Sequence, residues 1–164
     1  MRRAVIGIMG SGNNATAQET NHALELGERI AKEGWILLSG GRSVGVMDAA
    51  SKGAKSAGGL TLGIGARSDD SDISEAVDIA IITGMGSARN TINVLSSSII
   101  VAIGGNGSGT LSEIALALKS GKHVIVLGGS EEAKKFLQKV GGKNISFTDS
   151  PEATVKLIKR LLAA

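Results

Sequence analysis

Short apolar runs alternate with longer segments of helical length along the chain. Strand-length runs rich in Ile, Val and Leu fall at 4–9 (AVIGIM), 35–39 (WILLS), 60–64 (LTLGI), 78–82 (DIAII), 99–103 (IIVAI), 123–127 (HVIVL) and 145–147. Between them the pattern predicts helices over 15–33, 44–57, 87–97, 110–120, 130–140 and 151–163. Strand, helix, strand repeated in this way predicts a parallel sheet with helices on both faces, a doubly wound α/β fold. No linker or low-complexity tract interrupts it, so residues 1–164 are expected to form a single domain. The boundaries have local support: Ser130 before Glu131 and Ser150 before Pro151 are N-cap signals, and Gly121 follows the helix ending at Ser120.

Glycine then locates the functional edge. It supplies 24 of the 164 residues against a single proline, which points to turns and close backbone approach rather than disorder. The glycines concentrate after strands: MGSGNN at 9–14, SGGRSVGVM at 39–47, TGMGSARN at 83–90 and GGNGSGT at 104–110. Loops that follow parallel strands emerge at one edge of the sheet, where open α/β folds bind ligands. Where a helix starts, its unpaired amides carry partial positive charge, and glycine lets an anion reach them. The candidate ligand contacts are therefore Gly10, Ser11 and Gly12; Gly40, Gly41, Arg42 and Ser43; Gly84 and Arg89; and Gly105, Asn106, Gly107, Ser108, Gly109, Thr110 and Glu113. A phosphate is expected against the amides of residues 107–110, with Gly40, Gly41 or Arg42 nearby, because two helix starts converge there. Arg89 suits the same ligand, since a guanidinium binds phosphate bidentately.

Composition and charge remove other classes. The net charge of +3 is small and scattered, and Trp35, Phe136 and Phe147 are the only aromatics, so the chain lacks the basic stripe and stacking platforms of a nucleic-acid binder. With no cysteine there are no disulfides, thiolate ligands or cysteine nucleophiles. No apolar run approaches the ~18 residues of a membrane span, and MRRAVIGIMGSG is too short and glycine-broken for a secretory signal, so the expected location is cytoplasmic. His22 and His123 are not spaced as a metal pair, and no metal site is expected. The first glycine loop lacks the third glycine of a dinucleotide fingerprint, and no acidic residue closes the second strand.

Several positions have plain structural readings. Met47 is expected in the core, Lys122 at the surface, and RSDDSD at 67–72 in a polar loop after the third strand that reads first as a solvated charge cluster, with Arg67 facing the crevice as the alternative. TLSE, Thr110 to Glu113, has the spacing of a capping box, in which the threonine bonds the N3 amide and the glutamate the N-cap amide; that role needs no catalysis.

LSGGRSVGVMDAASKGA and GNGSGTLSEIALAL resemble the superfamily that includes the LONELY GUY phosphoribohydrolases, also called lysine decarboxylase-like. GWILLSGGRSVGVMDAASKGAKSAGG, DISEAVDIAIITGMGSARNTINVLSS and GTLSEIALALKSGKHVIVLG resemble the molybdenum cofactor carrier proteins over nearly the whole chain. That resemblance implies a Rossmann-like protomer, assembled as a homodimer or homotetramer. It also implies a non-catalytic role: binding the molybdenum cofactor, molybdopterin with its molybdenum, as cargo, protecting it, and passing it to molybdoenzymes such as nitrate reductase. NTINVLSSS and LSEIALALKS carry more small and apolar residues than lone surface helices require, in keeping with burial between subunits.

The alternative is a nucleoside monophosphate phosphoribohydrolase, in which Arg89 and Glu113 would be catalytic. That family carries a Pro-Gly-Gly-x-Gly-Thr-x-x-Glu run; here Gly105 and Asn106 stand where the proline and first glycine belong. Its Met-His-x-Arg-Lys run is replaced by MGSARN, with Arg89 the only basic residue. Cleavage in that family uses arginine and glutamate together, so the thinned constellation argues against efficient hydrolysis. Lysine decarboxylation would need a Schiff-base lysine, and none lies in the crevice loops.

Overall fold

A computed structural model describes residues 2–105 and 107–164. Among them run seven strands: β1 (Val5–Gly10), β2 (Ile36–Ser39), β3 (Thr61–Gly65), β4 (Ile79–Ile82), β5 (Ile99–Ile103), β6 (Val124–Leu127) and β7 (Ile145–Thr148). Six helices accompany them: α1 (Ala17–Lys32), α2 (Gly45–Ser56), α3 (Asn90–Ser96), α4 (Ser108–Lys119), α5 (Glu131–Gly141) and α6 (Pro151–Ala163). All strand pairs are parallel, in the order β4-β3-β2-β1-β5-β6-β7. The chain winds outward from β1 to β4, then returns to lay β5 beside β1, with Ile8 in register with Val101. The order reverses at that pair, so the carboxyl ends of β1 and β5 open a crevice.

The central strands read as continuous apolar runs because helices cover both of their faces. Side-chain alternation divides β5 between the two layers. Ile99, Val101 and Ile103 join α1, α2 and α6 residues such as Leu26, Val46 and Ile158 in one core. Ile100 and Ala102 join Val94, Ile114 and Leu137 of α3, α4 and α5 in the other. The α1–α2 contact is close enough to need glycine: a Cβ on Gly27 would lie 2.2 Å from the Ala50 carbonyl oxygen, and one on Gly53 2.0 Å from that of Leu24. This tight pairing sets the start of α2 against the loop that leaves β1.

Two elements depart from the sequence pattern. The helix expected over 87–97 is a 3-10 turn, Gly86–Arg89, running into the short α3. The helix expected over 110–120 begins earlier, at Ser108, because Gly107 adopts the extended N-cap conformation (φ −89°, ψ 145°). The link from β3 to β4 has no helix, so the edge strand β4 stays uncovered and its Ile79, Ile81 and Ile82 are exposed.

Candidate functional site

The loops at the carboxyl edges of β1 to β5 enclose a cavity of about 600 Å³. Its position follows from the strand order, since it opens where β1 and β5 diverge. Eleven of the expected residues line it: Gly10, Ser11, Gly12, Gly40, Arg42, Arg89, Gly107, Ser108, Gly109, Thr110 and Glu113. Asn106 lies outside the described residues.

Gly41, Ser43, Gly84 and Gly105 do not line the cavity, and each has a local reason. Gly41 turns the chain at φ +74°, donating its amide to Ser39 Oγ and accepting from the Ser74 amide. Ser43 is exposed, and its amide donates to the Asp72 carbonyl. Gly84 donates its amide to the Arg67 carbonyl, outside the cavity. Gly105 is buried toward Leu137, Val126 and Ile114, where it serves the packing of α4 and α5 on the sheet.

The two helix starts behave differently. At α2 the Val46 amide is already bonded to the Ser11 carbonyl at 2.9 Å, and Gly45 lies so close that a Cβ would sit 2.3 Å from that oxygen. The start of α2 thus clamps the first two loops together through the Val46 amide, and Arg42, just before it, lines the cavity. At α4 the first residue with an intrahelical amide bond is Leu111, to Gly107, and among the described residues no side chain caps the helix. Ser108, Gly109 and Thr110, whose amides precede that bond, line the cavity.

Thr110 and Glu113 do not form a capping box. With the helix starting at Ser108, Thr110 is already its third residue, and Glu113 lies a turn too deep to reach the N-cap. Glu113 is instead buried, accepting from Asn93 Nδ2 at 2.9 Å, with Arg89 Nη1 at 3.9 Å. Arg89 is 8% exposed and donates to Asn90 Oδ1 at 2.7 Å; its Nε, like Asn93 Oδ1, has no partner among the described residues. Gly40 makes the room, since a Cβ there would lie 2.6 Å from Arg89 Nη2. Burial pushes the Glu113 carboxyl above its ordinary range, opposed by the Asn93 hydrogen bond and the Arg89 charge. Burial likewise lowers Arg89, opposed by Glu113 and reinforced by repulsion from Arg42. Such a floor holds a charged pair and spare hydrogen-bonding atoms away from bulk water.

Some lining residues were not expected. Arg67 and Asp72 enter from the loop after β3, because the irregular link to β4 folds back over the cavity, tied by an antiparallel bridge between Arg42 and Ile73. The dense charges of RSDDSD were the available signal, although they read first as a solvated loop. Asn90 also lines the cavity, and its spacing from Asn93, which puts both amides on one face of α3 with Asn93 bonded to Glu113, was a second signal. Met47 is buried as expected and also forms part of the cavity wall. His22 borders a separate cavity of about 230 Å³, whereas His123 bonds Ser146 Oγ and is lowered in pKa by burial. Lys122 is not an idle surface residue, because its ammonium donates to the carbonyls of Leu95 and Ser97 at the end of α3.

The SLOG cluster4 family model matches residues 3–155. The chain belongs to that family. The molybdenum cofactor binding protein of the phototrophic bacterium Rippkaea orientalis is 49% identical, covering 99% of both chains with a TM-score of 0.96. The Moco carrier protein of Chlamydomonas reinhardtii is 47% identical, again covering 99% of both chains, with a TM-score of 0.93. An uncharacterized protein of Archaeoglobus fulgidus is 47% identical over 77% of this chain and 82% of its own length. Among the described residues no helix is long and apolar enough to cross a membrane.

Proposed function

We propose that this chain binds the molybdenum cofactor and carries it, without catalysing its conversion, and hands it to molybdoenzymes such as a nitrate reductase. The observation that carries this reading is the uncapped start of α4 on the wall of a cavity of about 600 Å³. A volume of that order suits a small-molecule cargo. A terminal phosphate accepts from the amides of Ser108, Gly109 and Thr110, which bind it without discriminating what it is attached to. Met47 offers apolar surface to the pterin body, and Arg42 and Arg67 offer positive charge to further anionic groups. Supporting the choice of cargo is the near-half identity, over nearly the whole chain, to a cofactor-binding protein and a carrier.

Carriage also fits a homodimer or homotetramer. Leu95 of α3 and Leu111 of α4 are 58% and 41% exposed, and a second copy packed there would cover them. Sedimentation showing only a 16.6 kDa species at micromolar concentration would overturn that part.

A second reading, a phosphoribohydrolase, is favoured by the approach of Arg89 and Glu113 at the cavity floor. One paired experiment separates the two. The carrier protects added molybdenum cofactor from oxidative loss and releases essentially no ribose 5-phosphate from adenosine monophosphate. Ready hydrolysis that Glu113→Ala abolishes, with no protection of the cofactor, establishes the enzyme instead.

A further inference from the structure

Three guanidiniums, from Arg42, Arg67 and Arg89, face one cavity, and a single carboxylate stands between two of them. Asp72 Oδ2 lies 3.3 Å from Arg42 Nε and 3.4 Å from Arg67 Nε. Both distances exceed the ~2.7–2.9 Å of a strong charge-assisted hydrogen bond. Asp48, by comparison, is 2.7 Å from Lys52 Nζ and 2.6 Å from Ser74 Oγ. The second oxygen of Asp72, Oδ1, is buried without a hydrogen-bond partner among the described residues. This carboxylate therefore satisfies neither its own oxygens nor its arginines well.

Its backbone explains why it is there. The Asp72 carbonyl accepts from the Ser43 amide at 2.8 Å, and the Ile73 amide bonds Asp70 at 3.0 Å. The main chain thus holds the carboxylate in the cavity, and the arginines can leave it without unravelling the loop. Their side chains are 37% and 62% exposed, so little packing holds either guanidinium in place. Arg42 also reaches the first glycine loop, its Nη1 lying 3.4 Å from where a Cβ of Gly12 would be.

Resting on the reading that the cavity takes an anionic cargo, we propose that Asp72 is an internal counter-anion. It neutralises Arg42 and Arg67 while the cavity is empty and yields them to a second anionic group of the ligand. The arginine wall and the α4 amides stand on opposite sides of the crevice. Arg67 follows β3 and the α4 start follows β5, three strand positions apart, or about 14 Å at the usual strand spacing. A cargo bearing phosphate at one end and an anionic metal centre at the other engages both walls. Because Asp72 stays close to the arginines after they turn, its charge opposes the second contact and keeps the cargo releasable, as delivery requires.

The test uses the full chain and two probes, inorganic phosphate and molybdate, titrated by calorimetry at fixed ionic strength. Asp72→Asn preserves size and removes the charge. It is expected to tighten oxyanion binding about tenfold at low salt, with the gain shrinking as salt rises. Arg67→Met, at an exposed side chain, is expected to weaken binding several-fold and to erase most of that gain in the double variant. Unchanged or weaker binding in a folded Asp72→Asn protein overturns the proposal, because a carboxylate that merely aligned the arginines would be missed by the ligand. An undiminished gain in the double variant overturns it as well. Cofactor release provides the separate control. If carriage is correct but Asp72 is not a counter-anion, the wild-type chain loads molybdenum cofactor and Asp72→Asn releases it at the same rate. If carriage is wrong, neither protein loads it while the oxyanion response remains.

Discussion

Threonine and glutamate occur twice at the same spacing, as TAQE at 16–19 and TLSE at 110–113, and the two copies do different things. At α1 the box closes: Thr16 Oγ1 accepts from the Glu19 amide at 3.2 Å, and the Thr16 amide donates to Glu19 Oε2 at 2.8 Å. At α4 the helix starts before the threonine, the box never forms, and Glu113 turns into the cavity floor. The box at α1 takes up the Glu19 and Thr16 amides. The helix without one has amides left for a ligand. Ser130 and Ser150 cap α5 and α6 as Thr16 caps α1, whereas α2 and α4 both start without a side-chain cap, and at α2 the Val46 amide is taken by the Ser11 carbonyl.

Giving α4 the cap it lacks should have the largest effect. Gly107 is the N-cap, its backbone suits any residue, and a Cβ there meets nothing nearer than 3.8 Å. Gly107→Asp should therefore leave the melting temperature unchanged or slightly higher, because aspartate caps better than glycine by a few tenths of a kcal/mol. The same carboxylate occupies the anion position, so molybdenum retained after gel filtration should fall about tenfold or more. Undiminished cofactor in a stable variant would detach the phosphate from α4.

The mirror change removes the cap that exists. Thr16→Ala should cost about 1 kcal/mol in denaturant unfolding and leave cofactor retention untouched. A variant that keeps its stability but loses cofactor would reverse the roles assigned to the two helix starts.

A smaller effect concerns the displaced glutamate. Because burial raises the Glu113 carboxyl in the folded chain, its contribution to stability is complete below its ordinary value of 4.5 and is lost as pH rises through the raised one. Glu113→Gln does not titrate, so its stability relative to wild type should improve as pH rises from 4 to 8. Thermal melts of the two empty proteins across that range measure the difference. A gap that is flat or of opposite sign would mean that the Arg89 charge, not burial, governs this carboxyl.

Much of the fold was legible because its signals are local. The strand at 99–103 and the helix over 151–163 match β5 and α6 residue for residue, since an apolar run bounded by polar residues, or a serine followed by proline, needs no partner to be recognised. The loops that line the cavity were legible for the same reason, because glycine after a strand marks a carboxyl edge wherever the strand lies. The failures share the opposite property. The spacing of TLSE was correct, but Gly107 decided where the helix began. RSDDSD allowed Arg67 to face the crevice but read first as solvated charge, because nothing in it records that the link from β3 to β4 folds back across the crevice.

The chain by itself therefore determined its periodicity: seven apolar runs, their intervening helices, and four glycine-rich edges that admit an anion. Strand order was beyond it, since parallel neighbours are chosen by helices packing on shared faces, as α1 and α2 do through Gly27 and Gly53. Only that packing put β5 beside β1 and thereby brought Arg89 of one loop against Gly40 of another, 49 positions away in the sequence. Burial followed from the same step. A glutamate that local rules assign to a helix end became a carboxyl held out of water beside a guanidinium, because its solvation depends on what the rest of the chain places around it.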